Sequence, residues 1–382
     1  PGTGYSGGVS DEFKQAVDRV AEAGGNAIRT WSYEYGKEIL DYCQTKNIMV
    51  CMGLWVQHER HGFDYNNAAA VAAQKETFRA AVMELKDHPA LLAWGVGNEV
   101  ETEATNMRVW DAVNDISNMI HEIDGNHPTM YVVADYFDPV VADISNRLSD
   151  IDIIGVNSYA NLGNCLARWD SSAEKRPILV TEWGPSGWWE APTTAWGAPI
   201  EPVSGVRLEQ YRDNYKYIAQ RSGRVLGSFA FYWGQKQERT YTWFSLALES
   251  GLLTEAADAL TYKWTGSWPS NRAPHLTAVT VNGVLPASSL SVAPSAKLIA
   301  SATVSDPDGD VCTGVWTVRE ETTATSVGGD AEAVPKEVAV EAVPSAGGAG
   351  SFDAFEFYAP AAEGSYRLFA EITDGRGKVA TA

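Results

Sequence analysis

The sequence is short of positive charge. Its 382 residues carry 29 Lys and Arg against 49 Asp and Glu, a formal net charge of −20. Nucleic-acid backbones are bound by clustered Lys and Arg, so nucleic acid is excluded as the expected partner. An anionic membrane surface is excluded for the same reason. Long apolar runs are also missing: no stretch of about 18 apolar residues occurs, which excludes a transmembrane helix. Cysteine is scarce, with four in all. Cys43 and Cys51 are placed on a helix and the strand after it, Cys165 in a loop region and Cys312 in a later domain. Buried free thiols are therefore expected, with a Cys43–Cys51 bridge as the alternative. The chain opens at Pro1 without an apolar leader, so a leader removed or a start trimmed upstream is expected.

Apolar and aromatic residues are plentiful. Hydrophobic residues make up 45% of the chain, enough for a sizeable core and too many for bulk disorder. Of 14 tryptophans, 13 lie before residue 270. A Trp ring offers a flat apolar face with a polar edge. That suits a sugar ring; an aromatic-rich core is the competing use. The length fits two or three domains.

Before residue 270, apolar β-runs alternate with amphipathic helical stretches. Ser10 is placed to cap a helix whose stripe is Phe13, Ala16, Val17, Val20 and Ala21, ended by Gly24-Gly25. Strands are expected at 26–31, 48–55, 91–97, 129–134, 151–157, 178–181 and 226–233. Helices are expected at 35–46, 68–86, 103–123 and 207–221. Short apolar strands separated by helices indicate a parallel sheet covered on both faces. Seven such strands, with an eighth expected at or before Pro1 and ending near Gly2–Gly4, fit a (β/α)8 TIM barrel over residues 1–268. A doubly wound open sheet is the alternative, weakened by the lack of any G-x-G-x-x-G after a strand. The remainder, residues 273–382, reads as an all-β immunoglobulin-like sandwich with strands at 276–281, 289–292, 297–304, 314–318 and 366–372. The cluster Ser305-Asp306-Pro307-Asp308-Gly309-Asp310 is expected to be a turn. A calcium-binding loop is the alternative, although the EF-hand pattern is incomplete.

Catalytic groups of a barrel sit at the C-terminal ends of its strands. One strand runs into Gly97-Asn98-Glu99 and another into Thr181-Glu182-Trp183. The two glutamates are about three βα units apart, ending the fourth and seventh strands when the missing one is counted first. Facing carboxyl groups are what glycosidic bond cleavage needs: one protonated to release the leaving oxygen, the other ionised to attack the anomeric carbon.

On these residues the chain resembles the retaining glycoside hydrolases of clan A. The resemblance implies that Glu99 is the acid/base, Glu182 the nucleophile and Asn98 a sugar 2-OH contact. It implies that Arg29 and Tyr159 contact the nucleophile, and that Trp233, on the eighth strand, floors the subsite holding the attacked sugar. It covers residues 10–268; the absent first strand is its main departure. If the two glutamates end opposite strands, their carboxyl groups are expected about 5–5.5 Å apart, the retaining geometry.

Further residues are expected at the sugar site. Trp55 and His58 follow the third strand; His58 is expected to border the sugar, with a loop anchor as the alternative. His58-Glu59-Arg60-His61 is not H-E-x-x-H and lacks a third ligand, so zinc is not expected. Trp188 and Trp189 form an aromatic pair suited to a sugar platform, and Lys236, Glu238 and Trp243 are expected to line the same cleft. No metal or organic cofactor is expected, because two carboxyl groups supply both nucleophile and proton.

A barrel followed by an immunoglobulin-like domain is similar to bacterial endo-β-1,3-glucanases of glycoside hydrolase family 158, and also resembles barrels of the family 2, 5 and 17 type. The partner implied is a polysaccharide or oligosaccharide, with a β-1,3-glucan first, and the location implied is bacterial and secreted, periplasmic or cell-surface. A mannan or galactan hydrolase and a transglycosylase on the same scaffold are alternatives. A non-catalytic carbohydrate-binding protein is the alternative of another class.

Overall fold

The computed structural model describes residues 9–136, 138–341, 352 and 354–382. Two compact units are distinguished: Pro1–Trp183 with Asn214–Ala230, and Gly184–Asp213 with Phe231–Ala382.

The first unit is built on seven parallel strands: β1 (Ala27–Arg29), β2 (Met49–Leu54), β3 (Leu91–Asn98), β4 (Thr129–Ala134), β5 (Ile153–Asn157), β6 (Ile178–Trp183) and β7 (Val225–Ala230). They pair in sequence order, and β1 comes up beside β7, so the sheet is a nearly closed TIM barrel. The eighth strand expected near Gly2–Gly4 lies outside the described residues. Around the strands run α1 (Asp11–Glu22), α2 (Gly36–Thr45), α3 (Ala68–Leu85), α4 (Arg108–Ile123), α5 (Asp138–Arg147), α6 (Leu162–Ser171) and the end of α7 (Ser204–Ala219).

Local sequence explains these elements. The Ser10 side chain accepts from Phe13 N at 3.1 Å, satisfying one free N–H of the first turn, and Asp11 and Glu12 lie at the positive end of the α1 dipole. Every residue of β5 and β6 is buried, as expected where helices cover one face and the barrel interior the other. That interior is filled by one side chain or two from each of six strands: Cys51, Ala93, Met130, Val132, Ile153, Leu179 and Phe229. Cys43, Cys51 and Cys165 are buried free thiols. Cys165 lies on α6, not in a loop.

The second unit holds the segments after β6 and β7, helix α8 (Glu255–Thr265) and two β-sheets. One has the order β13 (Phe355–Tyr358), β10 (Lys297–Ser305), β9 (His275–Val281). The other runs β12 (Glu337–Val338), β11 (Thr313–Glu320), β14 (Tyr366–Thr373), β15 (Lys378–Thr381), β8 (Leu253–Thr254). Side chains of both sheets share one core: Leu276, Val279 and Ala302 meet Ala370, Ile372 and Ala380. The composition break near 270 does not divide these units. Strand β8 and helix α8 precede the break yet are tied to the last strand of the chain: β8 pairs in parallel with β15, and Asp258 pairs with Lys378.

The expected strand at 289–292 does not form; Ser289 takes φ +54 and ends a short 3-10 turn, Pro286–Ser288. The Asp306 cluster is a turn. Asp306 Oδ1 accepts from the backbone N–H groups of Asp308 and Asp310 at 2.9 and 3.0 Å, and Asp310 pairs with Arg376 at 3.1 Å. No helix among the described residues is long and apolar enough to cross a membrane.

A buried polar knot holds α8 to the start of β9. Glu255 accepts from Ser204 Oγ and from Leu276 N at 3.1 Å, and pairs with His275 Nδ1 at 2.8 Å. Gly205 is needed beside it, because a Cβ there would lie 2.4 Å from the Leu276 carbonyl oxygen. The hydrogen bond to Glu255 raises the His275 imidazole above its ordinary 6.5. A raised histidine stabilises the fold fully below its ordinary value, and the contribution is lost as pH rises through the raised one. His275→Gln should therefore lower the melting temperature at pH 6 and do so less at pH 9. A pH-independent deficit, measured by thermal unfolding at both values, would assign His275 to packing alone.

Candidate active site

The site is assembled where four strands end, and there the ladders lose register. The pairing shifts between Gly95 and Asn98 on β3, between Val156 and Asn157 on β5, and between Val180 and Trp183 on β6. Such irregularities re-aim side chains at the end of a strand. On β3, Gly97 takes φ +83, and Glu99 itself is left-handed at φ +49.

Glu182, on β6, is buried and receives three donors. Arg29 Nη1 from the end of β1 and the Trp31 indole Nε1 both donate to Oε1 at 3.0 Å; Tyr159 OH, after β5, donates to Oε2 at 3.1 Å. These donors match the acceptor sites of a carboxylate, and the Arg29 pair is charge-assisted. The backbone of Trp31 is set by β2: a Cβ on Gly53 would lie 2.3 Å from Thr30 O and 2.5 Å from Trp31 C, so only glycine lets the chain leaving β1 approach this closely.

A continuous hydrogen-bonded chain joins the two glutamates. Arg29 Nη2 donates to Asn98 Oδ1 at 2.6 Å; Asn157 Nδ2 donates to the same oxygen at 3.1 Å and to Glu99 Oε1 at 2.7 Å. Asn157 is oriented by Thr181 Oγ1, which donates to its Oδ1 at 2.8 Å. Burial, and next the charge of Glu182, push the Glu99 carboxyl up to about 8. Two neighbouring carboxyl groups are thus in different surroundings: one gathers donors, the other is desolvated and repelled by the first.

Trp55 stacks on His58 at 4.8 Å between ring centroids. His58 is completely buried and borders His61 at 5.2 Å and Arg60 at 2.5 Å, so its ring anchors the loop after β2. Glu59 pins the same loop by accepting from the backbone N–H groups of Thr105 and Asn106 at 2.6 and 2.9 Å.

The remaining expected residues belong to the second unit. Trp188 and Trp189 meet edge to face at 5.5 Å. Trp188 is fixed: its Nε1 donates to Glu238 Oε1 at 3.1 Å, and the Arg239 guanidinium covers its ring at 3.8 Å. Trp189 is 51% exposed and folds over Gly187, where a Cβ would meet its ring at 2.4 Å. Lys236 pairs with Glu238 at 2.7 Å. Trp243 is core, not cleft lining, since it is fully buried with Nε1 donating to Ser186 O at 2.9 Å. Trp233 is not on a strand; β7 ends at Ala230, and the Trp233 ring lies 5.8 Å from that of Trp264.

Sequence reasoning missed Trp31 and Asn157 as site residues. An aromatic two places beyond Arg29 and an amide just before Ser158-Tyr159 were the available signals.

A parallel barrel with a carboxyl pair at its strand ends defines the class, and the comparisons place the chain within it. The TIM-barrel domain of glycosyl hydrolases family 2 matches residues 10–239, and the chain belongs to that family. No curated protein matches the chain in sequence. Among solved structures, the β-D-glucuronidase of Dictyoglomus thermophilum is similar at 18% identity and TM-score 0.50, covering 67% of this chain and 47% of that one. The Ruminococcus gnavus β-glucuronidase aligns at 16% identity and TM-score 0.52, covering 66% and 46%. The Bifidobacterium dentium β-glucuronidase complexed with coumarin-3-O-glucuronide aligns at 17% and 0.51, covering 67% and 44%. At these identities the likeness is one of fold. The chain spans less than half the length of each.

Proposed function

We propose that the protein is a retaining β-glycoside hydrolase in which Glu182 is the nucleophile and Glu99 the acid/base. The observation that carries this reading is the contrast between the two carboxyl groups: three donors on Glu182, a raised and half-buried Glu99. In the first step a Glu182 oxygen bonds to the anomeric carbon, the bond to the leaving oxygen breaks, and the Glu99 proton passes to that oxygen. In the second, water attacks the same carbon, gives its proton to Glu99, and the bond to Glu182 breaks. Two hydrogen bonds fall on the Asn98 carbonyl oxygen, which turns the amide NH2 toward a sugar hydroxyl. Trp31 acts with Arg29 and Tyr159 in orienting the nucleophile. Within the second unit, Trp189 offers the most open aromatic face for a sugar ring.

For the glycon, a β-glucuronide comes first, from the activity named for the structural neighbours, and a β-1,3-glucan second, from the order of the domains. An immunoglobulin-like sandwich remains our reading of the two C-terminal sheets. The test is a panel of 4-nitrophenyl β-glycosides (glucuronide, glucoside, galactoside, mannoside) and laminari-oligosaccharides, with the first-formed anomer followed by NMR. Turnover of at least one with retention is expected. Inversion, or binding without turnover of any, would overturn the reading. Chain-extended products in place of free sugar would make it a transglycosylase.

A further inference from the structure

Two residues beyond Glu99 lies a second glutamate that takes no part in the double displacement. Glu101 Oε1 accepts from Ala134 N at 2.8 Å, and Oε2 accepts from the Tyr131 hydroxyl. Both partners belong to β4. They receive the segment in which β3 has left its register with that strand. The segment turns through Gly97 at φ +83 and Glu99 at φ +49, a conformation an L-residue holds only when its surroundings impose it. The backbone returns to β4 where Glu99 N donates to Val132 O at 2.8 Å, and Thr102 N closes a turn onto Glu99 O at 3.0 Å. The Glu101 side chain is a further tie to β4. A backbone N–H can only donate, so Oε1 must accept, and a carboxylate meets both ties without a proton of its own.

Resting on the assignment of Glu99 as acid/base, we infer that Glu101 is its positioning residue: the Glu101 carboxylate clamps the bulged end of β3 to β4 and sets a second negative charge behind Glu99. The charges facing this pair come from every neighbouring element. Glu182 on β6 and Glu101 itself oppose ionisation of Glu99, while Arg29 from β1 and the Asn157 hydrogen bond from β5 favour it. Burial raises the Glu101 carboxyl above its ordinary value, opposed by the hydrogen bonds from Tyr131 and Ala134 on β4 and by the charge of Arg60 from the loop after β2. Burial and the Glu101 charge hold the Tyr131 phenol well above its ordinary value, so it remains a donor.

The amide of Glu101→Gln has the same shape and retains an acceptor for Ala134 N, but carries no charge. Glu101→Ala removes clamp and charge together. Both are compared with the unmodified full chain by two measurements. The first is the titration of the Glu99 carboxyl carbon in protein labelled with 13C at the glutamate side chain, with the signal identified by its loss in Glu99→Gln. The second is the pH profile of kcat/KM on phenyl β-D-glucuronide. In Glu101→Gln the Glu99 titration is expected to move down by about half a pH unit or more. The alkaline limb should move with it, and the low-pH plateau should stay within about threefold. In Glu101→Ala the plateau should fall by about tenfold or more, because the clamp is gone. An unmoved Glu99 titration in Glu101→Gln overturns the inference even if Glu99→Gln is inactive. Should Glu99→Gln keep full activity, the acid/base assignment itself fails and takes the inference with it. If Glu101→Ala does not fold, the Glu101→Gln titration decides alone.

Discussion

Glu182→Ala should lower kcat by about 10⁴-fold or more while leaving binding of a sugar ligand within a few-fold of the parent. The size reflects the group removed. Glu182 supplies the atom that would bond to carbon, and no neighbour can replace it: Arg29, Trp31 and Tyr159 present only donors to the vacated position. Those donors are left facing a cavity of carboxylate size, which a small anion such as azide can fill. Added azide should restore turnover with an activated aryl β-glycoside and give the α-glycosyl azide, because it attacks from the side Glu182 occupied. Rescue giving the β-azide would instead assign the vacated position to the acid/base, and a variant with near-parental kcat would remove Glu182 from the chemistry.

Glu99→Gln should separate substrates by leaving group. On an unactivated glycoside the loss should be about 10³-fold, the usual scale of general acid catalysis; on a 2,4-dinitrophenyl glycoside, glycosylation should fall less than about tenfold, since that leaving group needs no proton. Equal losses on both would refute the assignment. The parental enzyme should lose kcat/KM as pH rises through about 8, where Glu99 gives up its proton. The same raised value has a stability consequence. A carboxyl whose folded value lies above its ordinary one leaves the fold most stable below the ordinary value, and stability is lost as pH rises toward about 8. Glutamine carries no charge to desolvate, so Glu99→Gln should melt at a higher temperature than the parent at pH 7 to 8, with the gap closing near pH 4. A variant less stable at pH 7 would mean that the hydrogen bond from Asn157 outweighs the desolvation of Glu99.

The barrel was legible because its signals are local. Runs such as Ile178-Leu179-Val180-Thr181 and Thr129–Ala134, buried on both faces, are nearly all apolar, and α1 before them carries a stripe and a cap. Their alternation alone implies parallel strands. The two glutamates were legible for the same reason: each breaks an apolar run where a barrel strand must end. Beyond the barrel the signals weaken. β12 and β8 have two residues each, and β13 and β15 four, too short to display a period. The Trp243 ring illustrates a further limit, since one aromatic side chain serves a core or a sugar equally well until burial is known.

From the sequence alone, then, come the parallel barrel, the order of its strands, and a carboxyl pair at the ends of two of them. Each of these arises from periodicity and from charge placed against apolar runs, which neighbours along the chain are sufficient to express. Only the tertiary structure decides that Trp31 and Arg29 reach Glu182 across some 150 residues of chain, that Asn157 bridges Asn98 and Glu99, and that His58 is an anchor. It alone shows Glu101 tying the end of β3 to β4. Those contacts depend on bulges that shift a strand end by one residue and on glycines that let backbones approach, and such displacements have no period along the sequence.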